Sequence, residues 1–353
     1  MRIGILDIDS QKIKTKTGEY KKFPNIACGK IYGYHKLQGD EIIYPYAGEQ
    51  VDKLYISTIF SWTKPHIARL LETYKPVAKE IEVGGTGWDW RSKLPPEIEA
   101  IDPKWTYEMY NIDYGIGFTI RGCHVGCSFC VVPRKEGIKE YRVAHIRDLI
   151  NPKSNHVVLL NNNSFADVGF FEDIEEIKAY KLTVNWNQAN DITLLTPEIA
   201  EAVASVEYRN FNRTLKMLHF ACDQIVKRKR CPVTGEWMSY EMLKVVPEKV
   251  RMLKEYGIPP SHLTFYMLIG FDTTLEEDLA RFNMLNDLGC NVYAMMFRDL
   301  NGKIGVDGKG NPQGVWVKPL RDWINGYAFR NYRFEEFDRY KKALEKENQL
   351  KFF

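Results

Sequence analysis

At 353 residues the chain is too long for one ordinary domain and long enough for two, or for a barrel with additions. Hydrophobic residues at 44% and charged residues at 27% exclude a disordered or fibrous chain. A formal net charge of +3 excludes a globally basic nucleic-acid binder but leaves room for a local patch, such as the run Lys227 to Arg230. That run reads first as a solvated basic turn. The opening MRIGILDIDSQ has its apolar run broken by Asp7 and Asp9, unlike a signal peptide, and no stretch approaches the ~18 apolar residues of a membrane span. A cytoplasmic setting with no membrane partner is expected. There the seven cysteines stay reduced and form no disulfide framework.

Residues 1–110 read as a small α/β domain. Strands are predicted at Arg2 to Ile8, Lys53 to Ile59 and Ile81 to Val83, with a helix from Pro65 to Tyr74 that opens on proline. The third strand runs into Gly84-Gly85-Thr86-Gly87. Leu94 to Pro103 is proline-rich and reads as a linker. The alternation resumes over residues 111–300. Strands are predicted at Gly115 to Ile120, His156 to Leu160, Leu182 to Asn185, Lys216 to Phe220, Leu263 to Ile269 and Val292 to Phe297. Between them lie helices at Pro197 to Val206, capped by Thr196, and Thr274 to Leu288, with an acidic first turn and Gly289 as its stop. The fold class expected is α/β: a partial (β/α)6 TIM-like barrel preceded by the small Rossmann-like domain. Residues 301–353 form an aromatic-rich extension ending in the helical EEFDRYKKALEKE.

The chemically informative segment is RGCHVGCSFCVVP, Arg121 to Pro133, which presents Cys123, Cys127 and Cys130 just past the first barrel strand. Three thiolates this close on one loop can converge on three irons of a cubane and leave the fourth iron without a protein ligand. Such an open site can chelate a substrate amine and carboxylate and pass it an electron. Two other readings stand beside this one. One is a closed zinc shell completed by His124 or His145, although no second cysteine pair is present. The other is three buried thiols, although Gly122, Gly126 and Ser128 are poor apolar neighbours.

The uninterrupted C-x3-C-x2-C pattern after a first barrel strand resembles the hallmark of the radical S-adenosylmethionine (radical SAM) superfamily. The resemblance implies a 4Fe-4S cluster on Cys123, Cys127 and Cys130, S-adenosylmethionine as cosubstrate, and a one-electron donor such as flavodoxin or ferredoxin. It also implies that Phe129 packs near the adenine. By position, the turn Asn161-Asn162-Asn163 stands where members often carry Gly-Gly-Glu to meet the methionyl ammonium. Asn187 and Asp191, with Asn185 and Asn190, lie where ribose hydroxyls would, or are ordinary turn residues. Leu268 and its strand backbone would flank the adenine. Arg298 would take the methionyl carboxylate, or makes a surface salt bridge. His219 and Asp223, at the end of the fourth barrel strand, are candidates for handling substrate protons.

Residues 1–110 resemble, in topology only, the B12-binding module that precedes cobalamin-dependent radical barrels. The D-x-H-x-x-G pattern is absent, so cobalamin is an alternative cofactor and not the favoured one. The cluster loop is also similar to that of tRNA methylthiotransferases. Those carry three further cysteines in the first domain, where this chain has only Cys28. Cys222, Cys231 and Cys290 read as isolated thiols. The expected substrate is a nucleoside or nucleic-acid base, ahead of a small molecule or a peptide, because Trp316, Trp323, Tyr327 and Phe329 alternate with Arg321, Arg330 and Arg333 in the tail. Outside the enzymes, the alternative is an electron-transfer iron-sulfur protein.

Overall fold

The computed structural model describes residues 1–9, 12–14, 20–43, 48–166, 169–231 and 234–350. The chain is a mixed α/β protein with parallel sheets and divides into two compact units. One comprises residues 1–117, 144–158 and 300–303, and the other residues 118–143, 159–299 and 304–353.

In the first unit, strands β1 (Arg2–Asp7), β2 (Glu41–Ile43), β3 (Val51–Ser57) and β4 (Ala78–Gly84) form a parallel sheet in the order β2-β1-β3-β4. Successive side chains of a strand point to opposite faces, so the apolar strands bury two separate clusters. Ile3, Ile5 and Tyr55 pack with Cys28 and Ile31 of helix α1 (Ile26–Leu37). Val51, Leu54 and Ile56 pack with Tyr74 of helix α2 (Lys64–Tyr74). Helix α1 has no counterpart among the predicted elements, because its glycines and buried His35 interrupt any apolar stripe. The glycines have a packing reason. A Cβ at Gly29 would lie 2.0 Å from Thr106 Oγ1, and one at Gly33 2.4 Å from Trp105, so α1 sits directly on helix α3 (Lys104–Tyr110). The predicted linker from Leu94 is partly structured. Pro96–Glu99 is a helical turn opened by proline, and it buries Ile98 in the core.

The glycine loop after β4 is filled by the chain itself. Gly85 has φ +95°, and a Cβ there would meet Thr58 O at 2.1 Å, while one at Gly87 would meet the Phe60 backbone at 2.5 Å. Asp9 ties the same edge of the sheet together, accepting from Thr58 Oγ1 (2.9 Å), Thr63 Oγ1 (2.8 Å) and Phe60 N (3.1 Å).

In the second unit, β5 (Thr183–Trp186) pairs in parallel with Glu207–Tyr208. Strands β6 (Leu218–Ala221), β9 (Leu263–Ile269) and β10 (Asn291–Met296) form a parallel sheet with β9 at the centre. Asn190 bridges in parallel to Phe220, which continues the series from the loop after β5. Between β6 and β9 the chain inserts an antiparallel hairpin, β7 (Val226–Arg230) and β8 (Trp237–Glu241), and then helix α4 (Met242–Glu255). The basic run is therefore a strand and not a turn. Helix α5 (Leu275–Asp287) starts on a capping box, with Thr274 accepting from Glu277 N and Glu277 accepting from Thr274 N.

The extension contributes helices α6 (Val317–Asn325) and α7 (Asp338–Leu350). Its aromatics build a small core: Trp323 stacks edge-on or tilted with Phe282 of α5, Phe329 and Phe334, and its indole N–H reaches Tyr332 O (2.9 Å). Trp323 is thus unavailable for stacking on a base, whereas Tyr327 remains exposed with Arg330 over its ring at 4.7 Å. Among the described residues, no helix is long and apolar enough to cross a membrane.

Candidate metal centre and its surroundings

The cysteine loop is closed at its base by a two-residue ribbon in which Ile120 pairs with Arg142 and Arg121 with Tyr141. Gly122 begins the loop at φ +85°, where a side chain would strike Lys139 O at 2.2 Å, so only glycine lets the two arms approach this closely. Cys123 N donates to Gly137 O (3.2 Å), Cys130 N to Cys127 O (3.0 Å), and Val132 N to Cys130 Sγ (3.4 Å). Two carboxylates on the returning arm brace the outgoing one. Glu136 accepts from Arg121 (3.0 Å), Gly122 N (3.2 Å) and Asn162 Nδ2 (2.8 Å). Glu140 accepts from His124 N (2.8 Å) and lies 2.7 Å from His124 Nδ1. Neither glutamate stood out in the sequence, because a lone acid in a loop looks like a solvated one.

None of the seven cysteines, all of them described, is in a disulfide, and the three of the loop are half-buried. Burial pushes the Cys123 thiol up to about 11 and Cys127 up to about 12. Burial outweighs the nearby cations, so the thiols stay protonated near pH 7, and bound iron would hold them as thiolates. His124 Nε2 is buried and meets no hydrogen-bond partner. His145 instead caps a turn in the first unit, its backbone N–H on Asp148 (2.8 Å).

The structure gives the three asparagines different jobs. Asn161 is spent on the fold: its Oδ1 accepts from Thr119 N (2.8 Å) and Ile120 N (3.2 Å), and its Nδ2 donates to Thr119 Oγ1 (2.8 Å) and Ser164 Oγ (3.2 Å). Asn162 Nδ2 donates to Gly122 O (3.3 Å) as well as Glu136. Asn163 Oδ1 accepts from Asp191 N (3.2 Å), and its buried Nδ2 meets no partner.

Asp191 is buried and its carboxylate is occupied. It accepts from Thr193 N (3.1 Å) and Thr193 Oγ1 (2.8 Å), and it pairs with Lys227 (2.9 Å) and Lys229 (3.2 Å). Burial would raise its pKa, but the two ammonium groups outweigh burial and bring it down to about 2. Asn187 is half-buried and donates its backbone N–H to Leu159 O (3.0 Å).

His219 is buried, lies with its ring stacked on Tyr266 (5.1 Å, 27°), and places Nδ1 2.9 Å from Trp186 O. A carbonyl can only accept, so Nδ1 carries the proton. Burial lowers the pKa, which makes the ring neutral near pH 7 with Nε2 as its basic atom. Asp223 extends the sheet beyond β6 by accepting from Leu268 N (2.9 Å), and burial raises its pKa. Leu268 O in turn accepts from Arg281 (3.1 Å), which also donates to Cys222 O and pairs with Asp278. Phe129 meets Phe271 edge-on at 5.5 Å, and Phe271 meets Phe297 at 4.6 Å. Arg298 is half-buried and its backbone bridges to Ile304. The inward lysines and the Asp278–Arg281 pair were not identified from sequence. The alternation of Lys227-Arg228-Lys229-Arg230 before Thr234-Gly235-Glu236 was a signal for the hairpin.

No protein-family model matches the chain, and no curated protein matches it. Among solved structures, the crystal structure of Streptococcus suis SuiB bound to precursor peptide SuiA aligns with a TM-score of 0.40 at 9% identity. The alignment covers 76% of this chain and 59% of that one, so the chain spans less than two thirds of its length.

Proposed function

We propose that the chain is a radical S-adenosylmethionine enzyme whose cluster ligands are Cys123, Cys127 and Cys130. The observation that carries this reading is the loop itself: three free, half-buried thiols in C-x3-C-x2-C spacing, braced by Glu136 and Glu140. A 4Fe-4S cluster held there would pass one electron, taken from a donor such as flavodoxin or ferredoxin, to S-adenosylmethionine, yielding methionine and a 5'-deoxyadenosyl radical that takes a hydrogen atom from the substrate. The chain's own residues supply orientation and a dry wall. Phe129 and Phe271 form an aromatic corner beside the loop, suited to an adenine. Asn163 Nδ2 is a buried donor with capacity for a carboxylate, and His219 Nε2 is a neutral base for a substrate proton. Leu268 is positioned from both sides by Asp223 and Arg281. Arg298 stands at the end of β10 as a second candidate for the carboxylate.

For the substrate, a nucleoside or nucleic-acid base is favoured by the outer face of the hairpin, where Arg228 and Arg230 lie over the exposed Trp237 at 5.6 and 5.3 Å. Cobalamin in the first unit is disfavoured because the loop glycines are used to pack against Thr58 and Phe60.

The test is anaerobic reconstitution followed by reduction in the presence of S-adenosylmethionine. The wild type is expected to hold iron and sulfide and to form 5'-deoxyadenosine, and the triple Cys123/Cys127/Cys130→Ala variant to do neither. Cluster retention in that variant overturns the site. A full cluster that never yields 5'-deoxyadenosine leaves an electron-transfer protein instead.

A further inference from the structure

Alternation along the hairpin sorts four adjacent cations onto two faces. Register pairs Arg228 with Ser239 and Arg230 with Trp237 on one face, and Lys227 with Tyr240 and Lys229 with Met238 on the other. The arginines face outward over Trp237. The lysines face inward: their side chains are 13% and 2% exposed, and both reach the single carboxylate of Asp191. Two ammonium groups thus share the one carboxylate they both reach.

The other acid acting on Lys227 is Asp223, which is buried and shifted towards its neutral form. A buried surplus charge is costly unless something negative faces it. Lys229 has spent its donors on Asp191, Thr193 and the face of Tyr240 at 4.8 Å. Among the described residues Lys227 pairs with Asp191 alone, one bond for three N–H groups.

Asn162 donates to Gly122 O, next to Cys123, and Asn163 receives the Asp191 N–H, so the cysteine loop and the lysine pair are tied through adjacent asparagines. Resting on the function proposed above, we infer that Lys227, anchored with Lys229 on Asp191, is the counter-charge to the cluster thiolates and sets how readily the cluster accepts its electron. Three thiolates leave a 4Fe-4S cluster negative, and the electron adds one more negative charge. A fixed ammonium in a low-dielectric site therefore stabilises the reduced form more than the oxidised one.

The experiment is a potentiometric titration of the reconstituted protein, followed by electron paramagnetic resonance, with iron content measured on each sample. Lys227→Met, which keeps the stem and removes the charge, is expected to lower the midpoint potential, with iron content unchanged. The expected loss is about tenfold or more in the reduction equilibrium, about 59 mV for one electron. Lys227→Arg is expected to restore most of it. Arg228→Met removes an equal charge from the same strand on the outward face and is expected to leave the potential in place. If Lys227→Met folds poorly, Lys227→Gln carries the same test. A full cluster whose potential is the same in wild type and Lys227→Met, or equally lowered by Arg228→Met, overturns the inference while leaving the enzyme reading intact. A wild type that binds no cluster overturns both.

Discussion

Glu140 Oε1 receives the backbone N–H of His124 at 2.8 Å and lies 2.7 Å from the Nδ1 of the same residue, so one carboxylate oxygen holds both the main chain and the side chain beside Cys123. Burial would raise the pKa of Glu140, but the His124 contacts outweigh it and hold the carboxyl below its usual range. Glu140 is thus a carboxylate at neutral pH, and its bonds are charge-assisted.

Glu140→Ala is expected to loosen the loop without removing a ligand. Losing a hydrogen bond to a charged acceptor costs about 1.5–3 kcal/mol, and the cost should appear as weaker iron retention during chelator challenge. Glu140→Gln, which can still accept from the backbone N–H, should fall between Ala and wild type. Equal iron retention in all three would show that Glu140 does not support the loop.

Asp191 links stability to acid pH. Its pKa is lower in the folded chain, about 2 against an ordinary 3.8, so its contribution is complete above pH 4 and is lost as pH falls from about 4 to about 2. That shift corresponds to about 2 kcal/mol. Asp191→Asn should lack this step in denaturant midpoints measured against pH. Near pH 7 it should be destabilised by about 3–5 kcal/mol, because two buried lysines lose their partner. A mutant with wild-type stability near neutrality would contradict the buried pairing.

Arg281 and Asp278 are both fully buried on α5. Besides each other, they hold Leu268 O, Cys222 O and Gly270 N at the ends of β6 and β9. Arg281→Met is expected to cost about 3–5 kcal/mol, since it strands a buried carboxylate and takes a charged donor away from two carbonyls. Adding Asp278→Leu should recover part of that loss, giving a clear coupling energy in a urea double-mutant cycle. Strict additivity would mean that the two side chains act separately.

Gly85→Ala tests the account of the glycine loop. The left-handed φ and the Thr58 carbonyl 2.1 Å from the new Cβ together predict a loss of at least roughly 1–3 kcal/mol. The measurement is a thermal or urea midpoint of the cluster-free protein. A neutral effect would mean that the loop is free to open, as a cofactor site would need.

Much of the strand and helix pattern could be read locally, because local signals decide it. The run Leu263–Ile269 is long, apolar and β-branched enough to be a buried strand, and the capping box of Thr274 and Glu277 marks the start of α5. The cysteine spacing likewise belongs to one short segment, where separation along the chain limits separation in space.

What the tertiary structure decided was which polar groups are already spent. Asn161, Asp191 and Asp223 sit where the sequence placed candidate ligand groups, yet each is committed to partners up to 45 residues away. The polarity of an isolated residue carries no information about such a partner. The sign of Lys227 was equally plain in the sequence, but its inward direction depends on strand register, and a shift by one residue would exchange it with Arg228. Composition determined the charge of that segment; only pairing with β8 and with Asp191 decided which cations became buried.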